Sequence, residues 1–365
     1  MTSGVTVSKR MVGRIPVRNL WLLMLYASDL TRYKDRFNAL VEADNDDLPD
    51  LVTELLVRAV DYRLRRNLTR GYRDHQAVLP RVRGRIDILA TEAHQLLSRG
   101  EVACRFQDLT INTPRNRLVR AAMELMARVV SNEGLAQRSR SLASSLARLG
   151  VGGKRPTRSD LALDQIGRND EDDRFMVALA LLAFDLALPT EESGPTPLVS
   201  PEREETWVRR LFEKAVLGFA RVELEPLGWT VRGGVPLYWQ VSTQSSGIPA
   251  FLPRMVTDIV LDPPCGRRRL VVDTKFASIF TAGRFGGVGF KSPYIYQMYA
   301  YLRSQEGNDV QSEGTNGMLL HPTIEDSMCE RAEIQGHTIT FATVDLREST
   351  AAIRSELRRL LRNGG

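Results

Sequence analysis

A chain of 365 residues is long enough for two domains that each bury a core, and 43% hydrophobic with 26% charged residues excludes a disordered polymer. Fifty basic residues against 44 acidic ones give a formal charge of +6 and a pI near 9.4, which permits contact with phosphate without demanding it. Cys104, Cys265 and Cys329 lie far apart and make no disulfide framework, which favours a reducing compartment, and His75, His94, His321 and His337 lack the spacing of a zinc site.

Residues 9–18, "KRMVGRIPVR", are basic and precede "NLWLLMLYA", an arrangement close to the start of a secretory signal. The apolar run is short, contains Trp21 and Tyr26, and carries Leu25 where cleavage needs a small residue, so it is not read as a signal. No segment approaches the roughly 18 apolar residues of a membrane span.

The run "DDLPDLVTELLVRAVDYRLRRNL" opens on Asp and Pro and then places Leu, Val and Ala at helical spacing. "AVLPRVRGRIDILAT" reads as short strands from its Pro, Gly and β-branched residues. In "TPRNRLVRAAMELMARVVSNEG", Thr113 caps a helix, Pro114 fits its first turn and Gly134 ends it. "DDRFMVALALLAFDLAL" is apolar on nearly all sides and reads as a buried helix. The Pro, Ser, Thr and Glu of "PTEESGPTPLVSPERE" mark a domain junction. Beyond it come an amphipathic helix, "EETWVRRLFEKAVLGFARVEL", and strands "GWTVRGGV", "VTDIVLD" and "RLVVDTKF". A helix, "SPYIYQMYAYLRS", and a strand, "NGMLLHP", follow. The expected architecture is a mostly helical domain with short strands over residues 1–190, then an α/β domain with a mixed central sheet over residues 191–365.

Lysine is scarce in this chain, occurring only at positions 9, 34, 154, 214, 275 and 291. Lys275 alone has an acid two positions earlier, and it stands in an apolar run where a charge is costly unless it is paired or put to use. Two residues apart on a strand, Asp273 and Lys275 leave the same face. The intervening "PPCGRRR" has the Pro and Gly that turn a chain back, which brings Asp258 within reach of Asp273. Two carboxylates so close call for a cation with oxygen ligands, Mg²⁺ foremost with Mn²⁺ as the alternative, and the Thr274 carbonyl is a natural further ligand. Such a metal activates water for phosphodiester hydrolysis, while Lys275 positions the water and offsets charge in the transition state. Glu213 is placed to add a carboxylate and Gln297 lies in an aromatic helix placed to cover the site; a surface charge and ordinary core packing are the plainer readings of these two segments.

With those residues in view, "LPRMVTDIVL", "LVVDTKFASIF" and "YIYQMYAYL" resemble the nuclease domain of the McrC family, the endonuclease subunit of the McrBC 5-methylcytosine restriction system, within the PD-(D/E)xK superfamily. "IPVRNLWLLMLYASDL", "VRGRIDILAT" and "PRNRLVRAAM" resemble the same family, so the similarity runs over most of the chain. The resemblance implies a restriction-endonuclease-like fold and a Mg²⁺-dependent type IV restriction endodeoxyribonuclease subunit. It assigns Asp258 and Asp273 to the metal and Lys275 to catalysis. Thr274 stands where the family often has alanine, and Asp258 follows Thr257 where the superfamily pattern has proline. It further implies a cytoplasmic protein whose N-terminal domain docks on a hexameric AAA+ GTPase, McrB, which recognises and translocates methylated DNA. A double-strand cut then brings two nuclease subunits together at the break.

The chain has no G-x-x-x-x-G-K-[ST], so no nucleotide is expected to bind through a P-loop. Arg81, Arg83, Arg85, Arg115, Asn116 and Arg117 are candidates for meeting the partner or DNA, against the plainer reading of solvated arginine. Two other functions stay open: a non-catalytic subunit that activates the GTPase, and a stand-alone metal-dependent nuclease.

Overall fold

The computed structural model describes residues 11–12, 15–33, 48–164, 167, 170–191, 201–264, 268–275, 280–282, 288–306, 314–323 and 327–364. The chain forms two compact units, one of Met1–Leu48 with Pro189–Gly365 and the other of Pro49–Leu188. The expected division near residue 190 has its counterpart at Leu188–Pro189, while the described residues 15–33 group with the C-terminal part. Most of the "PTEESGPTPLVSPERE" junction lies outside the described residues.

Helix α1 (Val17–Ala27) shows why the first segment packs where it does: from Leu20 to Tyr26 every side chain is buried. Asn19 Nδ2 donates to the carbonyls of Leu346 (2.7 Å) and Glu348 (2.9 Å), which satisfies a buried amide and ties α1 to the far end of the chain.

In the middle unit, α2 (Leu48–Arg65) precedes a three-stranded antiparallel sheet of β1 (Gly71–Leu79), β2 (Arg85–Ile86) and β3 (Val102–Thr110), with β3 central. The short strands expected over residues 77–91 are in fact the end of a nine-residue strand, a two-residue strand and a helix, α3 (Ile88–Ala93), whose first turn is capped by Asp87. Gly84 makes the turn into β2 at φ +69°, where a Cβ would meet the Arg105 carbonyl at 2.5 Å.

Thr113 caps α4 (Pro114–Val129) as expected, but Gly134 does not end it. The break comes at residues 130–132, where the Asp50 carboxylate accepts the Ser131 and Asn132 N–H groups and the Asn132 side chain caps α5 (Glu133–Arg148). Two further helices, α6 (Arg158–Leu163) and α7 (Glu171–Glu191), follow.

In the other unit, α8 (Pro201–Leu224) leads into a six-stranded mixed sheet. Its strands are β4 (Thr230–Leu237), β5 (Met255–Asp262), β6 (Leu270–Thr274), β7 (Asn316–Thr323), β8 (Cys329–Ile334) and β9 (His337–Asp345). They lie in the order β8-β9-β7-β6-β5-β4. Strands β6, β7 and β9 run parallel to one another, while β4, β5 and β8 pair antiparallel to their neighbours. This is the α/β sheet the sequence pattern implies, and β6 is buried at every position, as a central strand should be. Helix α10 (Ser292–Gln305, after the short α9 at Ile248–Phe251) lays Met298, Tyr301 and Leu302 on Val260, Val271 and Leu319. The last helix, α11 (Thr350–Asn363), is capped by Ser349 and packs on β9 and α8.

At Gly218 of α8 a Cβ would stand 1.9 Å from the Tyr26 carbonyl oxygen of α1, a clash with main chain that only a shift of a whole helix relieves. Gly218→Ala is expected to cost about 2 kcal/mol or more by overpacking. Thermal melting that leaves the midpoint unchanged would refute the close approach of α1 to α8.

Candidate active site

The β5–β6 ladder pairs Ile259 with Val272, Val260 with Val271 and Leu261 with Leu270, and the next step of that register sets Asp258 opposite Asp273. At that step the Asp258 carboxylate takes the Thr274 N–H (2.7 Å) and the Thr274 hydroxyl (2.9 Å). On its other edge β6 continues in register with β7, and the Lys275 N–H donates to the Leu320 carbonyl at 3.0 Å. The Lys275 ammonium lies 2.7 Å from Asp273 Oδ2, so the side chains two residues apart do share a face.

Asp273 is 2% exposed and Lys275 8% exposed, which makes this a buried ion pair. Burial pushes the Asp273 carboxyl up to about 6; Lys275 pulls it down and the Asp258 charge pushes it up again. Glu213, half-buried on α8, is raised by burial and next by Asp258, while Arg209, Lys214 and Lys275 lower it. Its carboxyl therefore belongs to the same electrostatic cluster.

Gln297 reaches the site through a residue the sequence reading left as core. Its amide donates to the Tyr301 hydroxyl (2.6 Å), which donates to the Val256 carbonyl at 3.0 Å on β5. Burial raises the Tyr301 phenol, Gln297 lowers it, and the Asp273 and Asp258 charges raise it further. Lys275 also sits over the Tyr294 ring, 5.4 Å from its centroid. The signal for Tyr301 was its position four residues after Gln297 on one helix face; Tyr294 had none until the tertiary fold was known.

Among the described residues no three His, Cys, Asp or Glu side chains gather closely enough to hold a metal ion unaided. The donor set suits a hard cation all the same. Asp258 and Asp273 offer carboxylate oxygens whose mutual repulsion an ion would relieve, and the remaining positions would fall to water, phosphate oxygens and the Thr274 carbonyl.

The arginine candidates separate. Arg115 and Asn116 are buried and serve the fold: Arg115 holds Asp164 (2.7 Å) and Asp173 (3.3 Å), and the Asn116 amide donates to the Thr69 and Ile111 carbonyls. They are corrected as contact residues, because a guanidinium and an amide with these partners have nothing to offer a second molecule. Arg81, Arg83 and Arg85 are exposed, with Arg83 paired to Asp108 and lying over Phe106. Residues 276–279 of the "LVVDTKFASIF" run and Cys265 lie outside the described residues.

A family model described as the McrBC 5-methylcytosine restriction system component matches residues 3–183. Over that stretch the chain belongs to the McrBC family. The matched stretch ends before Asp258, but similarity to one relative continues through the site. The chain is 27% identical over 345 residues to the type IV methyl-directed restriction enzyme EcoKMcrBC of Escherichia coli strain K12, covering 94% of this chain and 96% of the relative. Among solved structures it is similar to the refined half-complex from a tetradecameric assembly of Thermococcus gammatolerans McrB AAA+ hexamers with bound McrC, at TM-score 0.46 and 14% identity over 95% of this chain and 76% of that one. A second match, the Thermococcus gammatolerans McrBC complex, has TM-score 0.32 and 17% identity over 48% of this chain and 57% of that one.

In the metal-free protein, folding raises the Asp273 carboxyl from its ordinary 3.8 to about 6. The folded state thus binds the proton more tightly, and this group's contribution to stability declines as pH rises from about 4 through 6, by about 3 kcal/mol in all. Carboxyl-carbon NMR titration should find its midpoint near 6. The midpoint should fall in Asp258→Asn, which removes a repelling charge, and rise in Lys275→Met, which removes an attracting one. Shifts of the opposite sign would show that the three groups are not one cluster.

Proposed function

We propose that this chain is the DNA endonuclease subunit of a type IV, 5-methylcytosine-dependent restriction system, acting in the cytoplasm with an McrB-like AAA+ GTPase hexamer. The observation that carries the reading is the Lys275–Asp273 pair, buried at the end of a central strand with Asp258 directly opposite. A purely structural sheet gains little from a charged pair there, since the desolvation of both groups opposes the attraction between them.

In the proposed mechanism Asp258, Asp273 and the Thr274 carbonyl would hold Mg²⁺, with Mn²⁺ as an acceptable substitute. A bound ion there would supply the chemistry of water activation and charge neutralisation at a phosphate. Lys275 donates from its ammonium to the attacking water and to a phosphate oxygen as negative charge develops there. Glu213, held above its ordinary carboxylate range, would exchange a proton with a water near Asp258. Gln297 and Tyr301 close the helix side of the site through their hydrogen-bonded pair. Methylated DNA is the substrate, reading of the modified base belongs to the GTPase partner, and two nuclease subunits meet at the break for a double-strand cut. The chain binds no nucleotide itself. The EcoKMcrBC relative supports the restriction role, and the names of the McrB–McrC assemblies agree with such a partner.

The test is cleavage of methylated plasmid with the GTPase, GTP and Mg²⁺. Lys275→Ala is expected to lower cutting by about 10²–10³-fold or more while complex formation and stimulation of GTP hydrolysis persist. Stimulated hydrolysis by wild-type chain with no cutting in any divalent metal would instead assign a regulatory subunit. Cutting without the partner would assign a stand-alone nuclease.

A further inference from the structure

The middle unit contains a cleft of about 840 Å³ along the β1 edge of its sheet, bounded on the other side by the start of α4 and by α6. Its lining is polar and rich in charge, whereas the core of a protein–protein contact is depleted of charged side chains. The volume falls in the range of ligand pockets, enough for roughly one or two nucleotides of a strand.

The three carboxylates in the lining are already engaged. Asp164 accepts from the Arg115 backbone N–H (2.9 Å) and from its guanidinium. Asp160 accepts the Thr157 N–H at 2.9 Å in the capping box of α6, and Asp74 accepts the Gln107 amide at 3.1 Å. The cations are less committed. The Arg70 and Arg73 side chains are exposed and have no hydrogen-bond or ion-pair partner among the described residues, and Arg117 comes no nearer than 3.9 Å to Asp160. Guanidinium forks suit phosphate, which accepts them in bidentate fashion. Between Arg70 and Arg73 in sequence stands Tyr72, 75% exposed on an edge strand, whose ring leaves the face opposite Arg73, so a strand crossing this edge meets a cation on one side and the ring on the other. Arginines beside an exposed aromatic ring are the elements that follow a single strand, the cations on its backbone and the ring under a base.

We propose that this cleft binds a short single-stranded segment of nucleic acid, with Arg70, Arg73 and Arg117 on backbone phosphates and Tyr72 stacked on an unpaired base. The site is separate from the carboxylate–lysine cluster and does not depend on the nuclease reading. It gives the middle unit its own hold on a single strand.

The experiment is fluorescence anisotropy of a labelled oligo(dT) of about 15 nucleotides with the full-length chain in EDTA, across a range of salt. Arg70→Ala/Arg73→Ala is expected to weaken binding roughly tenfold or more near 0.1 M salt and to lower the slope of log K against log salt by about 1.4, two phosphate contacts' worth. Tyr72→Ala should weaken binding by roughly tenfold with the slope unchanged. Arg138→Ala/Arg148→Ala, which removes the same charge from the exposed face of α5 outside the cleft, should leave both quantities as they were. Since Arg70, Tyr72 and Arg73 are exposed, the variants should melt like the wild type, and Arg70→Gln/Arg73→Gln guards against any loss of fold. No binding by the wild type, an unchanged slope in the cleft variant, or equal losses in the two arginine pairs would overturn the proposal. Retained oligonucleotide binding with lost stimulation of the GTPase would overturn it too, by making the cleft a protein contact.

Discussion

The C-terminal unit is organised around one costly placement, an ammonium and a carboxylate 2.7 Å apart at the end of a strand that is buried along its whole length. Neither charge is tolerable there alone. The surroundings answer that constraint in detail: β7 holds the Lys275 backbone, the Tyr294 ring lies against the ammonium, and Asp258 braces the Thr274 main chain from the opposite strand. The two carboxylates need not bond each other. Their repulsion, added to burial, leaves Asp273 poised to hold a proton or a cation at ordinary pH.

What made this part legible in the sequence was its locality. Asp273 and Lys275 are related by the two-residue period of a strand, and Asp258 lies on the strand that comes just before in sequence, so no distant contact is needed to bring them together. Elements with weaker local signals were missed. Strand β8, "CERAEI", is an edge strand whose middle residues are exposed, and nothing in its composition separates it from a loop. Helix α5 is hidden in the sequence because Gly134 reads as a terminator, although it lies in the first turn after an Asn cap. The membership of α1 in the C-terminal unit depends on Gly218 and on backbone carbonyls more than 300 residues from Asn19, and no periodicity reports such contacts.

Arginine was read least well. "PRNRLVRAAM" and "LPRVRGRID" offer several guanidinium groups of equal appearance, yet one is sunk in the fold and others face solvent. Arg115 is distinguished only by Asp164 and Asp173, 49 and 58 residues further on, and Asp173 is also held by Arg63 at 2.8 Å. That three-way pairing joins α2, α4 and α7 within the middle unit. A buried charge with two partners is a fact of tertiary structure, and charge runs in a sequence cannot reveal it.

The division of labour between the two basic side chains follows from their donors. Arg115 spends a rigid fork on two carboxylates, which fixes geometry and leaves the group inert toward other molecules. Lys275 has three donors on a compact head, and its described partners are one carboxylate oxygen and the face of one ring. A guanidinium at that point would have more donors to satisfy in a space only 8% exposed, and it would bind Asp273 in both its oxygens, closing the carboxylate to any other ligand. The scarcity of lysine in an arginine-rich chain therefore carries information: the smaller cation stands where the partner carboxylate must remain able to take a second charge.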